Sequence, residues 1–155
     1  MIADLWIVGC GTLGCIAAQL WRNKYPQASI HAETRQAKFS YYIIFDQFNR
    51  FRNVDGRSAS RHDFLKSIGG VSASLRSDRT EADEVSARNV LIALPPSSSS
   101  NQYAEELHRA CRLWAGTLGN GNLVFTSSIG VYGDSFGNVV NEKFRVDTRS
   151  QRTTL

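Results

Sequence analysis

The stretch DLWIVGCGTLG, residues 4–14, constrains this chain more than any other. A short apolar run over 4–8 leads without a linker into Gly9, Gly11 and Gly14 at G-x-G-x-x-G spacing. From Thr12 to Lys24 apolar residues recur at Leu13, Ile16, Ala17, Leu20 and Trp21, and that spacing predicts a helix. Pro26 pushes Tyr25 out of the helical region and ends it. ASIHAET, residues 28–34, reads as a second strand. Strand, glycine turn, helix and strand in one short unit is the context in which this glycine spacing has meaning.

Each glycine in the pattern has a physical reason. The first makes the tight turn off the strand, the second lets backbone approach a pyrophosphate, and the third lets the helix pack closely on the strand. The following helix offers unpaired N–H groups and a positive dipole end to the phosphates. A nicotinamide dinucleotide is therefore the expected cofactor, held by Gly9, Gly11, Thr12, Leu13 and Gly14. The alternative is a glycine-rich turn without a ligand. Glu33 lies 19 residues past Gly14, where a carboxylate accepts from both ribose hydroxyls of NAD. Thr34 and Arg35 follow at once, and an arginine there meets the 2′-phosphate of NADP instead. NAD or NADP stays open, as does a solvated strand-end role for Glu33.

Beyond residue 35 the pattern loosens. Residues 36–62 read as an irregular or inserted segment, in which the aromatic, β-branched SYYIIFDQF (40–48) precedes a polar, basic run. RHDFLKSIGG (61–70) predicts a short helix with a glycine stop, and VSASL (71–75) a weak third strand. NVLIALPP (89–96) predicts a buried strand ended by two prolines. The segment after it begins with serine caps and continues as a helix with Tyr103, Leu107, Ala110, Cys111 and Trp114 on one face. NLVFTSS (122–128) is the last expected buried strand.

Apolar strands alternating with helices imply a parallel sheet covered on both faces. The expected fold is α/β, a Rossmann-type doubly wound parallel sheet with helices on both faces. It spans 1–155 as one domain, truncated before a substrate lobe. Leu94, Pro95 and Pro96 fall at the carboxyl edge, where ligands bind in such sheets. They are either a rigid apolar wall for an adenine or ribose, or simply the end of a strand. Thr126, ending the last strand, is placed with the cofactor contacts.

A 155-residue chain with 42% hydrophobic and 21% charged residues has the make-up of one soluble globular domain. Its net charge of +4 is spread along the chain with no basic run, which disfavours a nucleic-acid groove. Cys10, Cys15 and Cys111 form no C-x-x-C pair, which fits a reducing compartment and speaks against a disulfide framework or a zinc site. No apolar run approaches the roughly 20 residues of a membrane span. The first strand begins too early to leave room for a leader peptide, so the cytoplasm is the expected location. His31, His62 and His108 are scattered, and their spacing makes no catalytic or metal constellation.

IVGCGTLG, LIALPP and above all FTSSIGVYGDSFGNVVNE (125–142) resemble the extended and atypical short-chain dehydrogenase/reductases, the NAD-dependent epimerase/dehydratases. The resemblance covers the cofactor-binding half of that family. It implies that Ser128 lines the active site and hydrogen-bonds the reacting oxygen of a nucleotide-sugar or similar hydroxyl/carbonyl substrate. Glu142 matches the acidic residue after the Tyr-Gly turn. The common extended form has G-x-x-G-x-x-G, so the spacing here matches the atypical branch. The family's catalytic Tyr with Lys four residues later is not found. If Ser150 matches the family serine, Arg152 stands at the tyrosine, and an arginine stays protonated and does no acid/base work. Tyr132 has Phe136, not lysine, four residues on.

The resemblance thus implies an NAD(P)-binding domain of oxidoreductase or epimerase/dehydratase type, with its own turnover in doubt. Two other readings compete. One is a non-catalytic Rossmann-like scaffold that works through a partner, with YYIIFDQFNRFR as its surface. The other is a truncated product with no function of its own, whose open sheet leaves apolar edges to cover and so predicts either self-association, as a homo-oligomer, or marginal stability.

Overall fold

The computed structural model describes residues 2–35, 44–45, 51–52, 61–76, 86–95, 100–116, 120–127, 132 and 139–145. Five strands, β1 (Ala3–Val8), β2 (Ile30–Thr34), β5 (Val71–Leu75), β6 (Ala87–Ile92) and β7 (Leu123–Phe125), form one sheet. Their order is β5-β2-β1-β6-β7 and every pairing is parallel. This α/β arrangement is consistent with Rossmann-like sheets. From β1 the chain moves outward through β2 to β5, then returns past β1 to lay down β6 and β7. The direction of travel reverses between β1 and β6, and in open α/β sheets ligands bind outside the carboxyl ends of strands at such a reversal.

Two short strands stand apart. β3 (Ile44–Phe45) and β4 (Phe51–Arg52) pair antiparallel, Ile44 opposite Arg52 and Phe45 opposite Phe51. The aromatic run therefore supplies part of a small two-stranded unit and not a strand of the main sheet. The rest of SYYIIFDQF lies outside the described residues.

The helices are α1 (Thr12–Lys24), α2 (Arg61–Ser67) and α3 (Ser100–Arg112). α1 occupies the residues its periodicity predicts. Tyr25 leaves the helical region at φ −129° and ψ 79°, as expected of the residue before Pro26. α2 stops before Gly69 and Gly70, whose φ values of 78° and 63° are left-handed, as a glycine helix stop requires.

β1 divides its side chains between two cores by the two-residue period of a strand. Leu5 and Ile7 join Cys15 and Ala18 of α1, Leu65 of α2, and Ile30, Ala32 and Val71. Trp6 and Val8 join Val90, Ile92 and three residues on or just after α3, Tyr103, Ala110 and Leu113. Because both sides of β1 are buried, LWIV must be apolar throughout, and each such side chain contributes about 1.5–3 kcal/mol of transfer free energy.

Three expectations are corrected. The face α1 turns to the sheet is Gly14, Cys15 and Ala18, whereas Leu13 and Leu20 are 51% and 61% exposed. Small residues win there because the helix lies close to β1. On α3, Cys111 is exposed and Leu113 completes the buried face. β7 is not a buried strand: Leu123, Val124 and Phe125 are 38%, 51% and 43% exposed. It ends the strand order, so among the described residues it has a strand on one side only. No helix among the described residues is long and apolar enough to cross a membrane.

Candidate functional site

Three backbone bonds from residues just past β1, β6 and β7 tie together the carboxyl ends of the four neighbouring strands β2, β1, β6 and β7. Cys10 N–H donates to Glu33 O at 2.6 Å, Ala93 N–H to Val8 O at 2.8 Å, and Thr126 N–H to Ile92 O at 2.9 Å. These bonds set the turn after β1 beside the segment after β6, at the point where the strand order reverses.

The glycines of that turn meet three different surroundings. Gly9 has φ 82°, and a Cβ there would lie 2.8 Å from both Ala93 O and Leu94 Cδ2. It makes the tight turn and lets the two loops touch. Gly14 lies against β1, since a Cβ would meet Ile7 Cγ2 at 2.9 Å and Cys10 Sγ at 3.1 Å. Gly11 has an ordinary φ of −80°, and the nearest atom to a Cβ there would be Gly9 O at 3.9 Å. Among the described residues nothing else comes within 4 Å of that position, and a side chain would fill the space.

Gly11 is also the residue that begins α1. No side chain caps that end and no acidic residue sits in the first turn. The first N–H groups of a helix have no partner within it, so those of Thr12 and Leu13 are available at the open space beside Gly11. The arrangement suits an anion. Among the described residues this fits a dinucleotide pyrophosphate: bare backbone at Gly11, a helix start without a side-chain cap and no acidic residue in the first turn of α1.

Across the edge, Leu94 is buried between the Gly9 turn and α3, and its carbonyl accepts from Tyr103 Oη–H at 3.2 Å. Burial raises the Tyr103 phenol above its usual range, with the Glu106 charge adding to the effect. Pro95 is exposed beside it. Thr126 donates its hydroxyl to Ile92 O at 3.2 Å, so that group is committed to the backbone. Pro96 and Ser128 lie outside the described residues. Tyr132 sets its ring edge-on to Phe144 with 6.2 Å between centroids, and Glu142 is exposed.

At the end of β2 the three candidates separate. Glu33 is 0% exposed, so it is not a solvated strand-end carboxylate. Thr34 is equally buried; its hydroxyl lies 2.7 Å from His62 Nε2 and 3.5 Å from Ser74 O. A hydroxyl that donates to the Ser74 carbonyl accepts from His62, which fixes α2 against the end of β2. Arg35 alone of the three is open to solvent. A cleft of about 650 Å³ bordered by Asp4, Trp21, Arg88 and Asn122 opens at the opposite, amino end of the strands, away from all of these groups.

Sequence reasoning missed three participants. The Ala93 carbonyl and His62 carry no local signal, because both act through contacts remote in sequence. The third is a thiol pair: Cys10 and Cys15 flank the glycine turn and place their sulfurs 3.8 Å apart in the core. Their spacing of five, with one cysteine before the helix start and one in its first turn, was the available signal. Comparison of the chain with family models, curated proteins and solved structures gave no match.

Proposed function

We propose that this chain is a nicotinamide-dinucleotide-binding domain of the doubly wound Rossmann type, similar to the cofactor half of the atypical NAD-dependent epimerase/dehydratases. One observation carries the reading: the missing Cβ of Gly11 opens onto free space at the uncapped start of α1, where the strand order reverses. In this reading Gly9 and Gly14 shape the turn, Gly11 admits the pyrophosphate, and the N–H groups of Thr12 and Leu13 hold it. Leu94 and Pro95 form the apolar wall beside it, and Arg35 faces the adenosine ribose. The nicotinamide, when bound, supplies a hydride acceptor or donor. Turnover by the chain alone is not part of the proposal, since the family's Tyr-x-x-x-Lys pair is not found in this sequence.

The test is calorimetric titration of the folded protein with NAD, NADH, NADP and NADPH in turn. A saturable heat with at least one supports the proposal, and no heat with any of them overturns it. A second reading, a scaffold that acts by association, is favoured by the apolar exposure of β7.

A further inference from the structure

Cys10 and Cys15 are the two buried thiols of the molecule's described part, 0% and 6% exposed, and they lie beside each other at the start of α1. Their sulfurs are 3.8 Å apart, a non-bonded contact that must shorten to about 2.05 Å for a disulfide. The intervening residues include Gly11 and Gly14, and glycine backbone absorbs such an adjustment with least strain. Among the described residues no third His, Cys, Asp or Glu joins the pair to make a metal-binding group. The chemistry left to two adjacent sulfurs is redox.

We infer that Cys10 and Cys15 form a peroxide-sensitive dithiol that closes to an intramolecular disulfide across the glycine turn. The two sulfurs are not equivalent. The two thiols share one S–H···S hydrogen bond, which holds Cys15 below the usual range against the opposing effect of burial. Cys10 is pushed upward by that bond, by burial and by the Cys15 charge. The positive charge of Arg61 favours the thiolate at both. Cys15 also sits in the first turn of α1, where the helix dipole favours a thiolate, and it is the residue of the two with some exposure.

The Cys15 thiolate attacks one oxygen of hydrogen peroxide; the O–O bond breaks, hydroxide leaves, and Cys15 becomes a sulfenic acid. The Cys10 sulfur then attacks the Cys15 sulfur, forming S–S and breaking S–O, and the Cys10 proton departs with the hydroxyl as water. Each sulfur gives up one electron and the peroxide takes both, so two thiols and one peroxide yield one disulfide and two waters. Closure draws the first turn of α1 toward the β1 turn and reshapes the space above Gly11. On the dinucleotide-binding proposal above, on which this consequence rests, the oxidised form binds cofactor about tenfold more weakly.

The experiment treats the intact, folded chain with hydrogen peroxide, blocks free thiols by alkylation and maps the tryptic peptides. Both cysteines fall within one tryptic peptide, Met1–Arg22, with Cys111 in another. The expected result is that this peptide loses two hydrogen atoms and takes up no alkyl group, that dithiothreitol reverses the change, and that Cys10→Ser and Cys15→Ser each abolish it. Two alkyl groups on that peptide after peroxide, in protein that keeps its native circular dichroism, overturn the inference. So does a two-hydrogen loss that appears only in urea. Mass mapping needs no cofactor, so its outcome is separate from that of the titrations: closure without any dinucleotide heat sinks the binding proposal alone, and heat without closure sinks the dithiol alone.

Discussion

Gly9 and Ala93 meet so closely at the carboxyl edge that a Cβ on Gly9 would sit 2.8 Å from the Ala93 carbonyl oxygen. The contact locks the turn after β1 to the segment after β6, and it leaves no room for any other residue. Gly9→Ala carries two costs. One is a left-handed backbone at φ 82°, about 1–2 kcal/mol. The other is displacement of packed backbone, about 1–3 kcal/mol. Urea unfolding is expected to show a loss of about 2–5 kcal/mol with an unchanged m-value. A loss under about 0.5 kcal/mol, the level of an ordinary surface change, would mean the two loops part freely.

Gly11 separates binding from folding. Its φ is ordinary and a Cβ there touches nothing within ordinary contact distance but Gly9 O at 3.9 Å, so Gly11→Ala should leave stability unchanged or slightly raised. The same methyl group occupies the space in front of the α1 donors. Cofactor affinity should fall about tenfold or more, about 1.4 kcal/mol, with the unfolding midpoint held. Equal affinity in the variant would move the ligand away from this turn.

These contrasts show how much of the molecule the sequence disclosed. α1, β5 and the glycine stop after α2 were legible because each rests on local rules: helical spacing, apolar residues alternating with serine, and left-handed glycine. The three glycines are placed by their spacing, but only the fold shows that Gly9 abuts Ala93 while Gly11 abuts nothing. Periodicity set the bounds of α1 and placed Ala17 and Trp21 against the core, but Leu13 and Leu20 look like core until the tight approach to β1 puts Gly14, Cys15 and Ala18 there. β7 reads as buried for a related reason. LVF is as apolar as LWIV, and composition does not report whether a strand has neighbours on both sides.

Arg35 and Glu33 stand two residues apart, one exposed and one wholly buried. If the dinucleotide binds as proposed, the guanidinium is the group at the end of β2 that a ribose 2′-phosphate meets, and such charge-assisted pairs are the strong ones. NADP is expected to bind about tenfold more tightly than NAD, and Arg35→Ala to erase most of that preference. Parallel titrations of both proteins measure it. A preference that survives in Arg35→Ala assigns selectivity elsewhere.

At the amino end of β1, the Asp4 carboxylate accepts from both Ser29 N–H, at 2.8 Å, and Ser29 Oγ–H, at 2.9 Å. The backbone bond, then the hydroxyl, holds Asp4 below its usual value of 3.8, with Arg88 helping against a small burial effect. A carboxyl lowered by folding stabilises the native state above its unfolded pKa and loses that contribution as pH falls through its folded pKa. The effect therefore belongs below about pH 4, and the exposed position keeps it small. Asp4→Asn should flatten the acid side of the stability profile there and leave its shape above pH 5 unchanged. An acid limb identical to that of the unaltered protein would show that other carboxylates set it.

β7 presents Leu123, Val124 and Phe125 to solvent at the end of the sheet. Among the described residues β7 has a partner strand on one side only. An edge strand with apolar side chains is a template for pairing with another chain, and a second copy of this one is always present. Sedimentation velocity over a range of concentrations is expected to show reversible self-association. Val124→Lys places a charge on the strand's exposed surface, where a substitution shifts stability by only about 0.5 kcal/mol, so the fold should persist while the larger species disappears. A single monomeric species at every concentration would show that the exposed strand does not drive assembly, and it would remove the support for the association reading.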